Sequence, residues 1–167
     1  IATFMAKPYA QQAGSGTHIH ISILNKNQKN IFSDPLNEIG SIILHHAIGG
    51  LSKTMKESMA IFCPNANSYR RFQPDLYVPM APTWGIDNRT VAIRIPAGPA
   101  KAKRIEHRVS GADANPYLVV ASILAGIHHG ITHKIAPPKI STGDAILKHK
   151  PSLPMTWAES LDAFSKS

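Results

Sequence analysis

Cysteine is all but missing. Cys63 stands alone in 167 residues, which excludes an internal disulfide and a cysteine-based zinc site and fits a reducing, cytoplasmic compartment. No apolar run approaches the length that spans a bilayer, so no membrane partner is expected. Aromatics make up 7% of the chain, which argues against a platform stacking single-stranded nucleic acid. No internal repeat, P-loop or dinucleotide fingerprint occurs. Arginine is missing from both ends: all six lie between Arg70 and Arg108, while lysines are scattered. Eighteen Lys and Arg against ten Asp and Glu give a net charge of +8. That total alone suits nucleic acid, an anionic small molecule or an acidic surface. Clustered arginine with dispersed lysine favours a local anion site.

What is present suits one globular domain, with 43% hydrophobic residues and length enough for a real core. The chain opens on Ile1 without an initiator Met. It stops inside "TWAESLDAFSKS", where Thr156 and Glu159 have capping-box spacing. The expectation is a fragment of a longer protein, a single partial domain over residues 1–167.

The stretch "AGSGTHIHIS" (Ala13 to Ser22) runs a small glycine loop into strict alternation. His18, His20 and Ser22 should share one strand face, opposite Ile19, Ile21 and Ile23. In "KRIEHRV" (Lys103 to Val109), Arg104, Glu106 and Arg108 likewise share a face. Two readings of that ladder stand side by side: self-satisfied ion pairs on a solvated strand, or a carboxylate metal ligand between anion clamps. His-x-His is equally open between half-buried structural imidazoles and ligands. One imidazole plus one carboxylate suits Mg²⁺ or Mn²⁺ shared with a phosphate. A zinc hydrolase would want a third ligand at motif spacing. Arg89 and Arg94 have opposite parity, so a flat strand cannot aim both at one site; one is structural, or a bulge intervenes.

Between these stretches, "IFSD" (Ile31 to Asp34) reads as a return strand making a hairpin with the histidine strand. Asp34 and Pro35 read as a helix start. Apolar residues from Leu36 to Met59 recur at helical steps, with a kink or split at Gly49-Gly50 and an end at Pro64. Asn65 to Pro82 is a long irregular stretch of the kind that usually carries function. Thr90–Ile95 and Lys103–Val109 are strand candidates. A helix capped by Asp113 or Asn115 runs to about His133 and is apolar on nearly all sides, hence expected deep in the core. Pro137 to Pro154 reads as loop. Strands and helices do not alternate regularly, which predicts an α+β fold with a mostly antiparallel sheet and packed helices.

Five blocks carry a resemblance. "KPYAQQAGSGTHIHIS" (Lys7 to Ser22), "NSYRRFQP" (Asn67 to Pro74), "NRTVAIRIP" (Asn88 to Pro96), "RIEHR" (Arg104 to Arg108) and "ANPYL" (Ala114 to Leu118) closely resemble, in order, the signatures of glutamine synthetases. The match extends from Lys7 to about Ile131. It implies an incomplete glutamine-synthetase-type catalytic domain from an ATP-dependent ligase. There ATP phosphorylates glutamate's γ-carboxylate, and ammonia or a primary amine displaces phosphate. By resemblance, His18 and Glu106 are ligands of a divalent ion, Mg²⁺ or Mn²⁺. His20, Ser22, Lys101 and Arg104 contact ATP. Arg89 stabilises the transferring phosphoryl group. Gly14, Arg71 and Arg108 form the glutamate site. The resemblance also implies a ring-like homo-oligomer with active sites between subunits. It further implies that the family's N-terminal domain and its early metal-binding strands are missing here.

Two departures stand out. Ala13 replaces the family's Asn before Gly-Ser-Gly, and Tyr77 stands where ammonia-using members carry a flap Glu. Both resemble the branch that joins glutamate to polyamines. The adenylylated tyrosine of bacterial ammonia-using members has no counterpart between Gly143 and Leu153. Against this leading reading stand a basic nucleic-acid-binding module, supported only by charge, and the His-x-His hydrolase.

Overall fold

The structure is a computed structural model that describes residues 2–73 and 76–167. Ile1 lies outside the described residues, as does Pro74, the last residue of the quoted "NSYRRFQP" block. Four short strands form one mixed sheet: β1 (Ile19–Ile21), β2 (Trp84–Ile86), β3 (Ile93–Ile95) and β4 (Ile105–His107), in the order β1-β4-β3-β2. β4 pairs antiparallel with both β1 and β3, whereas β2 and β3 run parallel. The α+β expectation holds, with two of the three pairings antiparallel. β2 was not anticipated, because "TWGI" has no alternation to mark it.

Alternation does fix the faces. Ile19, Ile21 and Ile23 pack against the core cluster, while His18, His20 and Ser22 are exposed. The expected return strand at Ile31–Asp34 does not form. One bridge, Leu24 to Asn30, and the bond from Ile31 N to Ile23 O (2.9 Å) close a turn instead.

The first helix, α1 (Ile42–Thr54), starts at Ser41, whose hydroxyl accepts from the Leu44 amide. It does not start at Asp34. Asp34 and Asn37 cap successive turns, through Leu36 N and Ile39 N, and Leu36 is 98% exposed. Two Asx turns thus absorb the donors a helix start would need satisfied. Nor do Gly49 and Gly50 split the helix. The break falls at residues 55–58, before α2 (Met59–Phe62). Gly50 allows close crossing of α1 with α3 (Pro116–Thr132), where a Cβ on it would collide with the Gly126 carbonyl, and Gly49 faces the Ile135 and Ala136 backbone beyond α3.

α3 begins at Asn115, which accepts from Tyr117 N and Leu118 N, with Pro116 in the first turn. Only one stripe of it is buried, through Val119, Ile123 and Ile127. Tyr117, Leu118 and Leu124 are exposed, so the expectation of burial on all sides fails. The 137–154 stretch contains α4 (Ala145–Lys148). α5 (Trp157–Ser165) carries half of the expected box: Thr156 accepts from Glu159 N, but Glu159 accepts from Met155 N (2.8 Å), one residue before the cap, not from Thr156 N. Leu44, Ile48 and Leu51 of α1, the α3 stripe, and Ile93, Ile95 and Ile105 of the sheet join one buried cluster. Among the described residues no helix is long and apolar enough to cross a membrane.

Candidate active site

Register assembles the centre. β4 pairs Glu106 with His20 of β1 and with Arg94 of β3, so the three stand abreast across the sheet. Glu106 is 3% exposed. Its Oε2 accepts from Arg94 Nη1 and its Oε1 from Arg108 Nη1, both at 2.8 Å. His18 Nδ1 lies 3.2 Å and His20 Nε2 3.8 Å from Oε1. Burial pushes the Glu106 carboxyl up, but the hydrogen bonds and charges of Arg94 and Arg108 outweigh it and hold it below its ordinary range. Burial, then the charge of Arg108, lowers the His18 imidazole against the pull of Glu106.

Arg94 is the site residue that the sequence reading missed. Parity from Thr90 set it against Arg89, but the strand begins only at Ile93. Arg89 precedes it in a turn, and its carbonyl accepts from Arg108 Nη2 at 2.9 Å. No bulge is needed for both to line one cavity. Arg94 also pairs with exposed Asp87, whose carboxyl its hydrogen bond holds below the usual range.

Two cavities share His18, Tyr77 and Arg108. The larger, about 640 Å³, adds Arg89, Arg94 and Glu106. The smaller, about 240 Å³, adds Ala13, Gly14, Gly16, Arg71, Leu76 and Val78. Gly14 and Gly16 leave Arg71 room there: a Cβ on Gly14 would stand 2.9 Å from Arg71 Cγ and 3.0 Å from the Ala6 carbonyl, and one on Gly16 would stand 3.1 Å from Arg71 Nη2. Arg71, 2% exposed, donates to the Val109 carbonyl at 3.2 Å. It ends a 3-10 turn, Ala66–Arg71, inside the stretch expected to be irregular. Lys7, another residue the sequence reading did not single out, is buried. Its ammonium donates to the Gln12 carbonyl, and its backbone is clamped both ways by the Asn67 amide, at 2.8 and 2.9 Å. This holds the glycine loop against the Arg71 turn. Its signal was the Lys-Pro that opens the first block.

The residues expected at the glutamate, metal and phosphoryl positions therefore come together: Gly14, Arg71 and Arg108 at the smaller cavity, and His18, Glu106 and Arg89 at the larger. His20 and Arg104 adjoin them on the same face, with Arg104 Nε donating to His20 Nδ1 at 3.2 Å. Ser22 is exposed one residue beyond β1, and Lys101 is exposed on the 3-10 turn Ala100–Ala102. Neither lines these cavities.

Comparison with known proteins follows this geometry. Residues 1–167 match the family model "Glutamine synthetase, catalytic domain". The gamma-glutamylputrescine synthetase PuuA of Escherichia coli (strain K12) is 47% identical over 163 residues, covering 98% of this chain and 34% of that protein. The glutamate–isopropylamine ligase of Pseudomonas sp is 38% identical, covering 96% and 35%. The glutamine synthetase of Sulfolobus acidocaldarius is 43% identical, covering 82% and 30%. A solved structure titled "Apo GmaS without ligand" superposes with a TM-score of 0.85 at 30% identity, over 98% of this chain and 38% of the other. The chain thus spans about a third of the length of the curated relatives it matches. Matched from its first residue to its last, the chain belongs to the glutamine synthetase catalytic-domain family.

Proposed function

We propose that the protein to which this chain belongs is an ATP-dependent ligase that makes γ-glutamyl amides of organic primary amines. A γ-carboxylate oxygen of glutamate attacks the terminal phosphorus of ATP and ADP leaves. The amine nitrogen then attacks the acyl carbon and phosphate leaves. Arg71 and Arg108, with Gly14 leaving them room, grip glutamate's α-carboxylate, a task for guanidinium forks. Arg89, facing the larger cavity, offsets charge on the phosphoryl group in flight. His20, Ser22, Lys101 and Arg104 serve the nucleotide.

The donor set fits part of a divalent-ion site. His18 Nδ1 and Glu106 Oε1, 3.2 Å apart, are close enough to meet one ion. Among the described residues no group of three such donors exists, and both Glu106 oxygens are engaged by arginine. Further ligands must come from phosphate oxygens, water or chain outside these residues. Bound there, Mg²⁺ or Mn²⁺ would neutralise phosphate charge. A ring-like homo-oligomer in the cytoplasm accords with this reading, and no nucleic-acid or membrane partner belongs to it.

One observation carries the acceptor class. Tyr77 stands in both cavities with a left-handed backbone (φ 53°), a conformation uncommon for an aromatic residue and kept mainly where surroundings over-determine it. Beside it Ala13, Leu76 and Val78 give an apolar wall. A phenol among such neighbours can lie along an alkyl stem or face an ammonium group. It has no carboxylate charge to draw in and deprotonate ammonium near neutral pH. The names of PuuA and of the isopropylamine ligase point the same way. The test is phosphate release by the full-length enzyme with ATP, glutamate and, in turn, ammonium, ethanolamine, putrescine or spermidine. A kcat/KM for ammonium above that for every organic amine would overturn the proposal.

A further inference from the structure

Asp113 lines neither cavity and has no part in the chemistry above, yet its carboxylate is tied to the turn that delivers Arg71. Oδ2 accepts from Ser68 Oγ at 2.6 Å and from Asn65 Nδ2 at 3.1 Å. Ser68 Oγ in turn accepts from the Asn65 amide at 3.2 Å. These residues open the 3-10 turn that closes at Arg71. Oδ1 is buried without a hydrogen-bond partner among the described residues. It leans over Gly111, where a Cβ would collide with it and would stand 3.1 Å from Arg71 Nη1. Carboxylate and guanidinium thus both lie near the same bare position at Gly111, without a bond between them.

The same glycine is joined to the loop before β1. Gly111 bridges to Gly16, and Ala112 N donates to the Ser15 carbonyl at 3.1 Å. Burial works against the charge on Arg71, and Cys63 and Asp113 oppose that effect. The buried Cys63 thiol is itself pushed up to about 12, so it carries no charge there at neutral pH.

We propose that Asp113 is a positioning residue for the carboxylate-binding arginine. Through Ser68 and Asn65 it fixes the turn that ends at Arg71, and its charge, near the guanidinium without bonding it, steadies the Arg71 cation while Nη1 is tied to the Val109 carbonyl. The inference rests on the assignment of Arg71 to glutamate.

The experiment uses the full-length enzyme. Asp113→Asn leaves an oxygen to accept from Ser68 and Asn65 and puts an NH₂ group where Oδ1 was, removing charge while keeping shape. The expected result is a rise of about tenfold in KM for glutamate, the worth of roughly one charge-assisted contact, with KM for ATP and the thermal midpoint little changed. A merely structural role would move all three together. Ser68→Ala, which breaks the 2.6 Å bond without touching the charge, should raise the glutamate KM about threefold. Should Asp113→Asn not fold, an unchanged glutamate KM in Ser68→Ala overturns the inference. Arg71→Ala separates the two levels. An unchanged glutamate KM in that variant sinks the assignment of Arg71 and the inference with it. A raised KM there, together with a normal one in Asp113→Asn, overturns the role of Asp113 alone.

Discussion

Glu106 is a buried carboxylate shared by two guanidiniums and approached by two imidazoles. Solvated ion-pair ladder and metal ligand were alternatives in the sequence; the structure instead buries Glu106 and pairs it with Arg108 and with Arg94 of the next strand, while Arg104 turns to His20, and His18 stays within reach. Glu106→Gln in the full-length enzyme keeps the shape and removes the charge. Phosphoryl transfer should fall roughly a hundredfold or more, measured as glutamate-dependent ADP release; near-normal release would leave these ion pairs purely structural. His107, on the opposite face, lies against Phe62 (ring centroids 4.6 Å apart), and burial pushes its imidazole down to about 3. The sign follows from linkage. Below about pH 6.5 the unfolded chain binds a proton that folded His107 refuses, so stability is full above that pH and is lost as pH falls toward 3. The loss is about 1.4 kcal/mol per pH unit over that window. Denaturant midpoints at pH 7 and pH 5 should differ less in His107→Leu than in the wild type; equal shifts would count against it. Parity made His18, His20, Glu106 and Arg108 legible. The Arg94 contact was hidden, because only pairing to β4 reveals which strand residue opposes Glu106.

At the scale of elements, local signals succeeded where local forces decide. Asn115-Pro116 and the Thr156 cap start helices by satisfying nearby amides. They misled where tertiary contact decides. Asp34-Pro35 has the chemistry of a helix start, but a second Asx turn and Gly40 (φ 113°) carry the chain on to Ser41. Gly49-Gly50 reads locally as weakness, yet Gly50 lies against Gly126 and Gly130 of α3, and Gly49 against Ile135 and Ala136 beyond its end. Gly50→Ala should therefore destabilise by about 2–3 kcal/mol through overpacking against Gly126 and Gly130, seen as a lowered thermal midpoint. An unchanged midpoint would show that the helices can separate without cost.

For the whole molecule, the charge total of +8 was the least informative sequence feature and the clustering of arginine the most. Arg71, Arg89, Arg94 and Arg108 all line the two cavities. Tyr117, Leu118 and Leu124 of α3 show the limit of patterning: an apolar stripe announces burial but not whether these residues alone provide the cover. On the proposed assignment only His18 and Glu106 would hold an ion here, and two-metal phosphoryl transfer needs more carboxylates, so the isolated 167 residues should not turn over ATP with glutamate. Glutamate-dependent ADP release from the isolated chain is the measurement, and a clear signal would refute it.

Arg108 reaches into both cavities, and its Nη1 neutralises Glu106 at 2.8 Å. On the proposed roles, a substrate carboxylate that draws on this guanidinium would leave Glu106 less compensated and readier for a divalent cation. One ligand would take up the guanidinium and the other the carboxylate it leaves, so their affinities would be heterotropically linked. Whatever factor glutamate adds to cation affinity, the cation must return to glutamate. Calorimetric titration of glutamate into the full-length enzyme, with and without Mg²⁺, should show that factor, and Arg108→Lys, with its single point charge in place of a fork, should shrink it toward one.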